Sequence, residues 1–276
     1  MRRPDGVRWG VHLPTFAEPG LLVELAVSAE RHGWDGCFLW DHLLGAVEVP
    51  MPIADTWVVL GAIARATERI TLGTAVTPVA RRKPQELARQ TVTVDRLSGG
   101  RLVLGVGLGA PVDAEYAAFG EAADQRVLAS RLDEGLAVLA GLWSGEAFSH
   151  HGEHFAITDA TFLPRPVQRP RIPVWVACSW PHRRPLRRAA RWDGAILMKE
   201  HDGTIQSWTG EELADARCEV RRLRGDDRPF DLAVVTTDPV LDTDGYAVAG
   251  VGWVLVTGWL DHLATVIEAG PFDEGA

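Results

Sequence analysis

Cysteine and long apolar runs are scarce in this chain, and each scarcity excludes a class of protein. The 276 residues contain 3 cysteines, at Cys37, Cys178 and Cys218. They are too few and too scattered for a disulfide-stabilised secreted domain or a cysteine-ligated zinc site. No apolar run reaches the roughly eighteen residues of a membrane span, and the N-terminal residues lack the apolar stretch of a signal peptide. We therefore expect a soluble, cytoplasmic protein with no membrane partner.

Positive charge is also in deficit, which argues against a nucleic-acid partner. Lys and Arg total 28 against 37 Asp and Glu, giving a formal net charge of -9, whereas nucleic-acid phosphates demand a basic face. The basic residues cluster locally at 81–83 and at 183–188, where loops enter predicted helices. Each cluster predicts either an anion pocket or a solvated helix face.

Strand and helix patterns alternate along the chain, whose length and 46% hydrophobic content suit one large domain over 1–276. The predicted strands are 7–14, 36–41, 70–77, 102–108, 173–178, 195–199, 231–237 and 252–256. The predicted helices are 21–32, 55–65, 84–97, 125–143, 186–192, 210–223, 246–249 and 260–268. This alternation predicts an α/β fold, a (β/α)8 TIM barrel, with an open doubly wound sheet as the alternative. A hairpin at 147–157, in an insertion of about 144–165, separates strands four and five.

Segment 95–109 is the most informative part of the sequence, because a helix end, a glycine turn and a glycine-rich strand follow one another without a linker. Gly105, Gly107 and Gly109 suggest that another backbone or a flat ligand approaches this strand closely. The alternative is that they only let neighbouring side chains pack. Residues 105–110 also match the dinucleotide fingerprint GxGxxA, but Pro111 follows where that fingerprint requires a helix.

Functional groups of a parallel barrel gather at the carboxyl ends of its strands. Asp41 and His42 follow the second strand and form a candidate acid/base pair, since imidazole titrates near neutral pH and a neighbouring carboxylate orients it. The alternative is a capping aspartate beside a loop histidine. A metal site at His12, Asp41 and His42 is disfavoured, because later strands supply Ser179, Lys199 and Thr257 instead of further ligands; no metal is predicted.

Tryptophan is abundant, with 11 residues against 2 tyrosines, and Trp40, Trp180 and Trp253 fall near predicted strand ends. Indole rings opposite a glycine-lined wall predict a slot for a planar heterocycle.

Six motifs spread over almost the whole chain resemble one family. They are GVHLP at 10–14, GWDGCFLWDH at 33–42, LGT at 72–74 followed by Lys83-Pro84, LSGGRLVLGVGLG at 97–109, RPVQRPRIPVWV at 165–176 and AARWDG at 189–194. By these motifs the chain is similar to the bacterial luciferase-like flavin or deazaflavin oxidoreductases. The resemblance implies a (β/α)8 barrel with an insertion in its second half, a cofactor at the carboxyl-terminal end of the barrel and a homodimer.

The resemblance also implies roles for individual residues. His42 is the expected proton-transfer residue, with Asp41 orienting it. The residues expected to border the cofactor are His12, Trp40, Thr74, Ala75, Val76, Gly107 and Gly109, with a non-proline cis peptide near Ala75-Val76. The candidates for the cofactor phosphate are Ser179, Trp180, Arg183 and Arg184.

Two chemistries occur in the resembling family. The main expectation is a monooxygenase that uses oxygen and reduced FMN, supplied by a separate flavin reductase, on a small organic substrate. The alternative is hydride transfer with the deazaflavin coenzyme F420. Ala110 stands where some deazaflavin dehydrogenases carry a glutamate, although Asp113 or Glu115 could reach the site from the same loop. Lys199 is either a substrate anchor or an exposed lysine. An alternative of another class is a non-catalytic flavin-binding protein, favoured by the short chain and the abbreviated segment 238–249.

Overall fold

The computed structural model describes residues 6–45, 50–226, 228–237 and 243–271. Its strands, in chain order, are β1 (Arg8–Leu13), β2 (Gly36–Leu39), β3 (Thr71–Thr74), β4 (Thr77–Pro78), β5 (Leu102–Gly107), β6 (Ala147–His151), β7 (Ala156–Thr161), β8 (Val174–Ser179), β9 (Gly194–Met198), β10 (Glu200–His201), β11 (Thr204–Ile205), β12 (Asp231–Thr236) and β13 (Trp253–Thr257). The helices are α1 (Pro19–Arg31), α2 (Thr56–Ala66), α3 (Pro84–Leu97), α4 (Val112–Glu115), α5 (Gln125–Trp143), α6 (Arg183–Ala189), α7 (Gly210–Arg224), α8 (Thr243–Ala249) and α9 (Leu260–Ala269).

Eight parallel strands close into a barrel in the order β3-β2-β1-β13-β12-β9-β8-β5, and pairing of β3 with β5 completes the ring. This confirms the predicted (β/α)8 barrel. The short strand β4 pairs with β5 beyond the end of β3. The carboxyl ends of the barrel strands form one rim, which we call the mouth, because the parallel register aligns His12 with Thr257 and Leu39 with Thr74.

Sequence features of the helices explain where several of them begin and end. Asp55 caps α2 by accepting from Val58 N–H, and α3 begins at Pro84, where a missing N–H costs nothing. The Thr209 and Glu212 side chains form a capping box at the start of α7. After α3, Gly99 and Gly100 adopt φ of +69° and +91°, as the predicted left-handed stop requires.

The predicted hairpin is present between α5 and β8, where β6 and β7 form an antiparallel pair. Glu134 of α5 accepts the backbone N–H groups of His154 and Phe155, so the hairpin turn is fastened to the helix. A second antiparallel pair, β10 with β11, follows β9 and was not predicted, since each of its strands has two residues. Along the described residues no helix is both long and apolar enough to cross a bilayer.

Two cores hold the barrel together. The larger one lies between the strands and the surrounding helices. Inside the barrel, Phe38, Trp175 and Trp253 pack with ring centroids 5.5 to 5.7 Å apart. The prediction that Trp253 lies near the mouth is therefore wrong. It is the first residue of β13, and its indole fills the barrel interior at the amino-terminal end of that strand.

Candidate functional site

The mouth carries a histidine whose ring is held from a different strand. Strand β2 ends at Leu39, so Trp40, Asp41 and His42 continue beyond the sheet, as the acid/base interpretation requires. His42 Nδ1 donates to Glu115 Oε1 over 3.0 Å. Glu115 is the last residue of α4, in the loop after β5. The β2 and β5 loops thus meet at this pair, and Nε2 of His42 is left for a ligand.

Glu115 is fully buried and has partners on three sides. It accepts from Leu43 N–H over 3.1 Å and forms an ion pair with Arg81, whose side chain is also buried. A buried carboxylate needs such compensation, because an unpaired charge in the interior is costly. The backbone, the arginine and His42 together fix the position of both carboxylate oxygens. The sequence named Glu115 among two residues able to reach the site, and the structure places it there.

Asp41 does not hydrogen-bond to His42, which corrects the orienting role expected for it. Its carboxylate accepts from Arg81 at 2.8 Å, from Arg82 at 2.7 Å and from Thr77 Oγ1 at 2.9 Å. Adjacent residues beyond a strand end point in different directions, so Asp41 faces the β4 side while His42 faces Glu115. Asp41 still acts on His42 through space, by favouring the charged imidazolium.

The cluster Arg81-Arg82 fits neither prediction made for it. It is not a solvated helix face, because both side chains are mostly buried, and it is not an open anion pocket, because protein carboxylates occupy both guanidinium groups. The residues that neutralise these two arginines come from the loops after β2 and β5. Sequence spacing gave no sign of that pairing.

Burial is the main cause that lowers the pKa of His42, and the neighbouring Arg81 charge lowers it further. The pKa therefore lies below the ordinary value of 6.5, and the ring is neutral at neutral pH. Because the Glu115 carboxylate accepts the Nδ1 proton, the neutral tautomer carries its lone pair on Nε2. The arrangement makes Nε2 a proton acceptor at the mouth.

A second histidine supports the predicted cofactor border. His12 at the end of β1 donates from Nε2 to the Ala75 carbonyl over 2.5 Å, and the Ala75-Val76 peptide is cis, as the resemblance implied. Burial lowers the pKa of His12 to about 4, so the ring is neutral. Its tautomer leaves Nδ1 as an acceptor, buried and without a partner among the described residues.

The glycines of β5 are explained by close approach of the β3 segment. A Cβ at Gly105 would lie 1.9 Å from the Thr74 carbonyl oxygen, and one at Gly107 would lie 2.6 Å from Val76 Cγ2. Thr74 Oγ1 also donates to the Gly105 carbonyl over 2.7 Å. The predicted approach of another backbone thus holds at Gly105. Gly109 has φ of +85° and faces Pro78 and Tyr116, so this glycine serves the loop conformation.

An aromatic cluster that the sequence analysis missed lines the same rim. Phe16, in the loop after β1, contacts Trp40, His42 and Trp259 with centroids 5.7, 5.6 and 6.4 Å apart. Trp40 also contacts the His12 ring at 5.5 Å. Phe16 lies three residues beyond β1 and Trp259 two beyond β13. Their positions after barrel strands were the available signal, but the prediction stopped at the residues directly following each strand.

The candidates for the cofactor phosphate lie at the loop from β8 to α6. Arg183 stacks on Trp180 with its guanidinium carbon 4.8 Å from the ring centroid, and it pairs with Asp215. Ser179 ends β8, and Arg184 is exposed with no carboxylate partner in the described part of the chain.

Lys199, the candidate substrate anchor after β9, lies 2.6 Å from Glu212. This ion pair favours a structural role over that of a free substrate anchor.

The residues present at the mouth fit a planar cofactor. Two buried ring nitrogens, His12 Nδ1 and Trp40 Nε1, lack protein partners within the described ranges, and the two rings are in contact. One is an acceptor and the other a donor, which suits the amide edge of an isoalloxazine or deazaflavin ring. Ala75 adjoins this pair, since its carbonyl accepts from His12, and the Val76 side chain lies against Gly107.

The described residues contain no group of three His, Cys, Asp or Glu side chains able to hold a metal ion. His12, Asp41 and His42 are instead directed to Ala75, to the two arginines and to Glu115. Of the abbreviated segment 238–249, residues 238–242 lie outside the described residues.

Comparison with known proteins identifies relatives of this chain. The family model described as luciferase-like monooxygenase matches residues 7–236. An F420-dependent glucose-6-phosphate dehydrogenase of Nakamurella multipartita is 34% identical over 170 residues, covering 59% of this chain and 48% of that protein. Its counterpart in Beutenbergia cavernae is 36% identical over 171 residues, with the same two coverages. The chain thus spans about half the length of the curated relatives it matches.

Solved structures share the fold at low sequence identity. An F420-dependent secondary alcohol dehydrogenase in complex with an F420-acetone adduct superposes with a TM-score of 0.76 at 16% identity, covering 95% of this chain and 97% of that one. The oxygenating constituent of a diketocamphane monooxygenase from Pseudomonas putida, in complex with FMN, gives a TM-score of 0.67 at 18% identity, covering 84% and 67%. The family model matches residues 7–236, which is most of the chain, and so this chain belongs to the luciferase-like monooxygenase family.

Proposed function

We propose that this protein is a deazaflavin-dependent oxidoreductase that removes a hydride from an alcohol, with coenzyme F420 as its cofactor. The observation that carries the proposal is the His42–Glu115 pair, which presents a neutral imidazole with its lone pair on Nε2. The curated relatives at 34% and 36% identity are F420-dependent dehydrogenases. They favour the deazaflavin alternative over the reduced FMN that was the main expectation from sequence.

The residues that would hold the cofactor are those whose polar atoms and backbone face the mouth. His12 Nδ1 would accept from the ring system and Trp40 Nε1 would donate to it, while Thr74, Ala75, Val76 and Gly107 would bound its plane. Arg184, beside Ser179, would serve the cofactor phosphate, because it is exposed and not neutralised by a carboxylate in the described residues. Oxidised F420 held there would supply the acceptor for the hydride that an alcohol loses from its carbinol carbon.

The protein itself handles the proton. Oxidation of an alcohol releases the hydroxyl proton as the carbonyl forms, and His42 Nε2 takes it. The resulting imidazolium is stabilised by Glu115 at Nδ1 and by the nearby Asp41 charge. Arginines hold both carboxylates in place, so these groups need no reorganisation when the proton reaches His42.

Anaerobic titration of the purified protein with oxidised F420 and with oxidised FMN tests the cofactor. Tryptophan quenching is a suitable readout, because Trp40 lies at the proposed border. We expect saturable binding of F420 at a Kd at least about tenfold below that for FMN. Tighter binding of FMN, with oxygen consumption on addition of reduced FMN, would restore the monooxygenase interpretation.

Replacing His42 distinguishes the proposed enzyme from the alternative of a non-catalytic cofactor-binding protein. We expect His42→Ala to lower turnover by about two to four orders of magnitude while the Kd for F420 changes by less than about threefold, because the residue transfers a proton. The exposed His201→Ala is the control. A His42→Ala variant that loses cofactor binding, in a protein with no measurable turnover, would favour the non-catalytic alternative.

The homodimer implied by the resemblance stays a prediction, which sedimentation velocity of the purified protein tests.

A further inference from the structure

We propose that the substrate is an uncharged alcohol with an apolar or aromatic substituent on the carbinol carbon, and not a sugar phosphate. This inference rests on the proposed function and specifies the substrate class of the same site. It departs from the curated relatives, whose names place glucose 6-phosphate as the substrate. Two independent properties of the mouth carry it, the aromatic cluster beside His42 and the state of the nearby positive charges.

The aromatic cluster is placed to receive an apolar group beside the proton acceptor. Phe16 lies 5.6 Å from His42 and 6.4 Å from Trp259, centroid to centroid. Trp259 is 67% exposed, although burying an indole is strongly favourable. An exposed tryptophan next to a functional histidine is typical of a ligand-binding surface. A substrate whose hydroxyl reaches His42 would place its substituent against Phe16 and Trp259.

The loop after β2 adds to this apolar wall. Gly45 has φ of +70°, and a Cβ there would lie 2.9 Å from the Phe16 ring. The backbone therefore passes directly over Phe16 and holds the ring at the mouth. Leu43, next to His42, is 45% exposed. The wall around the histidine is thus apolar on the side that Arg81 and Glu115 do not occupy.

Most positive charges in the described parts of the mouth loops are paired with carboxylates. Arg81 and Arg82 bind Asp41, with Arg81 also bound to Glu115. Lys199 lies 2.6 Å from Glu212, and the exposed Lys83 lies 3.4 Å from Glu86. At the start of α6, Arg183 pairs with Asp215. Arg184, the next residue, is exposed and has no carboxylate partner among the described residues, and it is assigned to the cofactor phosphate.

A phosphate dianion would need a cation that is free to bind it. Recruiting Arg81 would leave Asp41 and Glu115 without this partner, at the cost of breaking a buried ion pair. A neutral substrate avoids this penalty.

The first test needs no cofactor. Saturation-transfer NMR on the purified protein compares 1-phenylethanol with glucose 6-phosphate, using wild type, Trp259→Ala and the control Val248→Ala, whose side chain is 85% exposed on α8. We expect a signal for 1-phenylethanol in wild type and in Val248→Ala, a loss in Trp259→Ala, and none for glucose 6-phosphate. A glucose 6-phosphate signal, or a 1-phenylethanol signal unchanged in Trp259→Ala, would overturn the inference.

The second test measures anaerobic F420 reduction by the same two compounds and by glucose. We expect turnover with 1-phenylethanol and a rise in its KM of about twofold to tenfold in Trp259→Ala, with kcat nearly unchanged, because the variant loses the aromatic contact with the substrate. Reduction of F420 by glucose 6-phosphate alone would overturn the substrate class while retaining the cofactor. Failure to bind F420 would overturn the proposed function, and the NMR result would then decide the substrate class by itself.

Discussion

Glu115, and not the neighbouring Asp41, hydrogen-bonds to His42. It is completely buried, accepts the Nδ1 proton of His42 and pairs with Arg81. Asp41, adjacent in sequence, is directed to the two arginines and acts on the imidazole through space. The side chain that orients the proton acceptor therefore comes from a residue more than seventy positions away along the chain.

Replacing Glu115 changes the base strength of His42. The pKa of His42 is lowered, so in wild type we expect kcat/KM for alcohol oxidation to rise with pH and level off once His42 is deprotonated, with an inflection below 6.5. In Glu115→Gln the carboxylate that favours the imidazolium is gone. We expect the inflection to move lower still and the plateau to fall by about tenfold to a hundredfold. The measurement is the pH profile of anaerobic F420 reduction.

The matched control is Glu134→Gln, at a glutamate that binds His150 over 3.1 Å in the hairpin, away from the mouth. It removes a Glu–His pair of similar length, made through Nε2 of the imidazole, and should leave the pH profile unchanged. An unchanged profile in folded Glu115→Gln would show that Glu115 does not act on the proton transfer.

Because of His12, we expect the free energy of unfolding to depend on pH in the acid range. Its pKa is lowered to about 4, whereas in the unfolded chain it is near 6.5, so the unfolded state takes up the proton first as pH falls. Stability due to neutral His12 is therefore present above about pH 6.5 and is lost between there and about pH 4, by about 2 kcal/mol from pH 7 to pH 5. Urea unfolding at those two pH values measures it.

His12→Gln retains a donor for the Ala75 carbonyl and removes the titration, so the loss between pH 7 and pH 5 should shrink by about the same 2 kcal/mol. His201→Gln, at a side chain that is 81% exposed, is the control and should keep the wild-type dependence. Equal acid sensitivity of His12→Gln and wild type would refute the role given to His12.

At the level of secondary structure elements, the pairing of β3 with β5 is the most constrained part of the barrel. Thr74 ends β3 and donates to the Gly105 carbonyl of β5, and the next peptide, Ala75-Val76, accepts from His12. Glycine is required at 105 because the Thr74 carbonyl oxygen occupies the space of its missing Cβ. The strand pairing and the cofactor border are therefore one arrangement.

Substitution by alanine distinguishes a glycine that close packing requires from a glycine that has free space around it. Gly105→Ala places a Cβ 1.9 Å from a backbone oxygen, and we expect a loss in the free energy of unfolding of about 3 kcal/mol or more, together with weaker F420 binding. Gly61→Ala is the control, because nothing lies within 4 Å of its added Cβ in helix α2. It should stabilise by about 0.5 to 1 kcal/mol. Wild-type stability of Gly105→Ala in urea titrations would contradict the close approach.

For the whole molecule, we expect bound cofactor to stabilise the closed barrel against unfolding. Its proposed contacts come from the ends of β1, β2, β3, β5 and β8, which converge in the folded ring alone. Ligand that binds the folded state at about 100 times its Kd adds about 2.7 kcal/mol, which corresponds to a rise in Tm of roughly 5 to 10 °C. Differential scanning fluorimetry with F420 and FMN measures this shift.

Arg184→Ala should reduce the F420-dependent shift in Tm, because it removes the cation assigned to the cofactor phosphate, while the Tm without ligand should stay within about 1 °C. Arg187→Ala, on the same helix, is the matched control. Equal shifts in the two variants would remove Arg184 from the cofactor site.

The alternation of strand and helix patterns predicted the barrel, with an open doubly wound sheet as the alternative, and the resemblance also implied the barrel. The strand and helix boundaries follow from local patterns of apolar residues, from Gly99 and Gly100 after α3 and from proline at the start of α3. These signals are local, because hydrogen bonding within a helix joins residues four apart and the alternation of side chains along a strand is set by its own backbone. The short pair β10–β11 was not predicted, because a strand of two residues is too short to show a periodic pattern.

Sequence and tertiary structure each determined a different part of the candidate site. The sequence by itself determined which residues stand at the strand ends, His12, Trp40 and His42 among them, because a parallel barrel brings every carboxyl end to one rim. Which side chain binds which was decided by tertiary structure alone. Glu115 lies against His42 and Asp41 against Arg81 and Arg82, since buried charges pair with the nearest opposite charge in space, and closure of the barrel sets that distance.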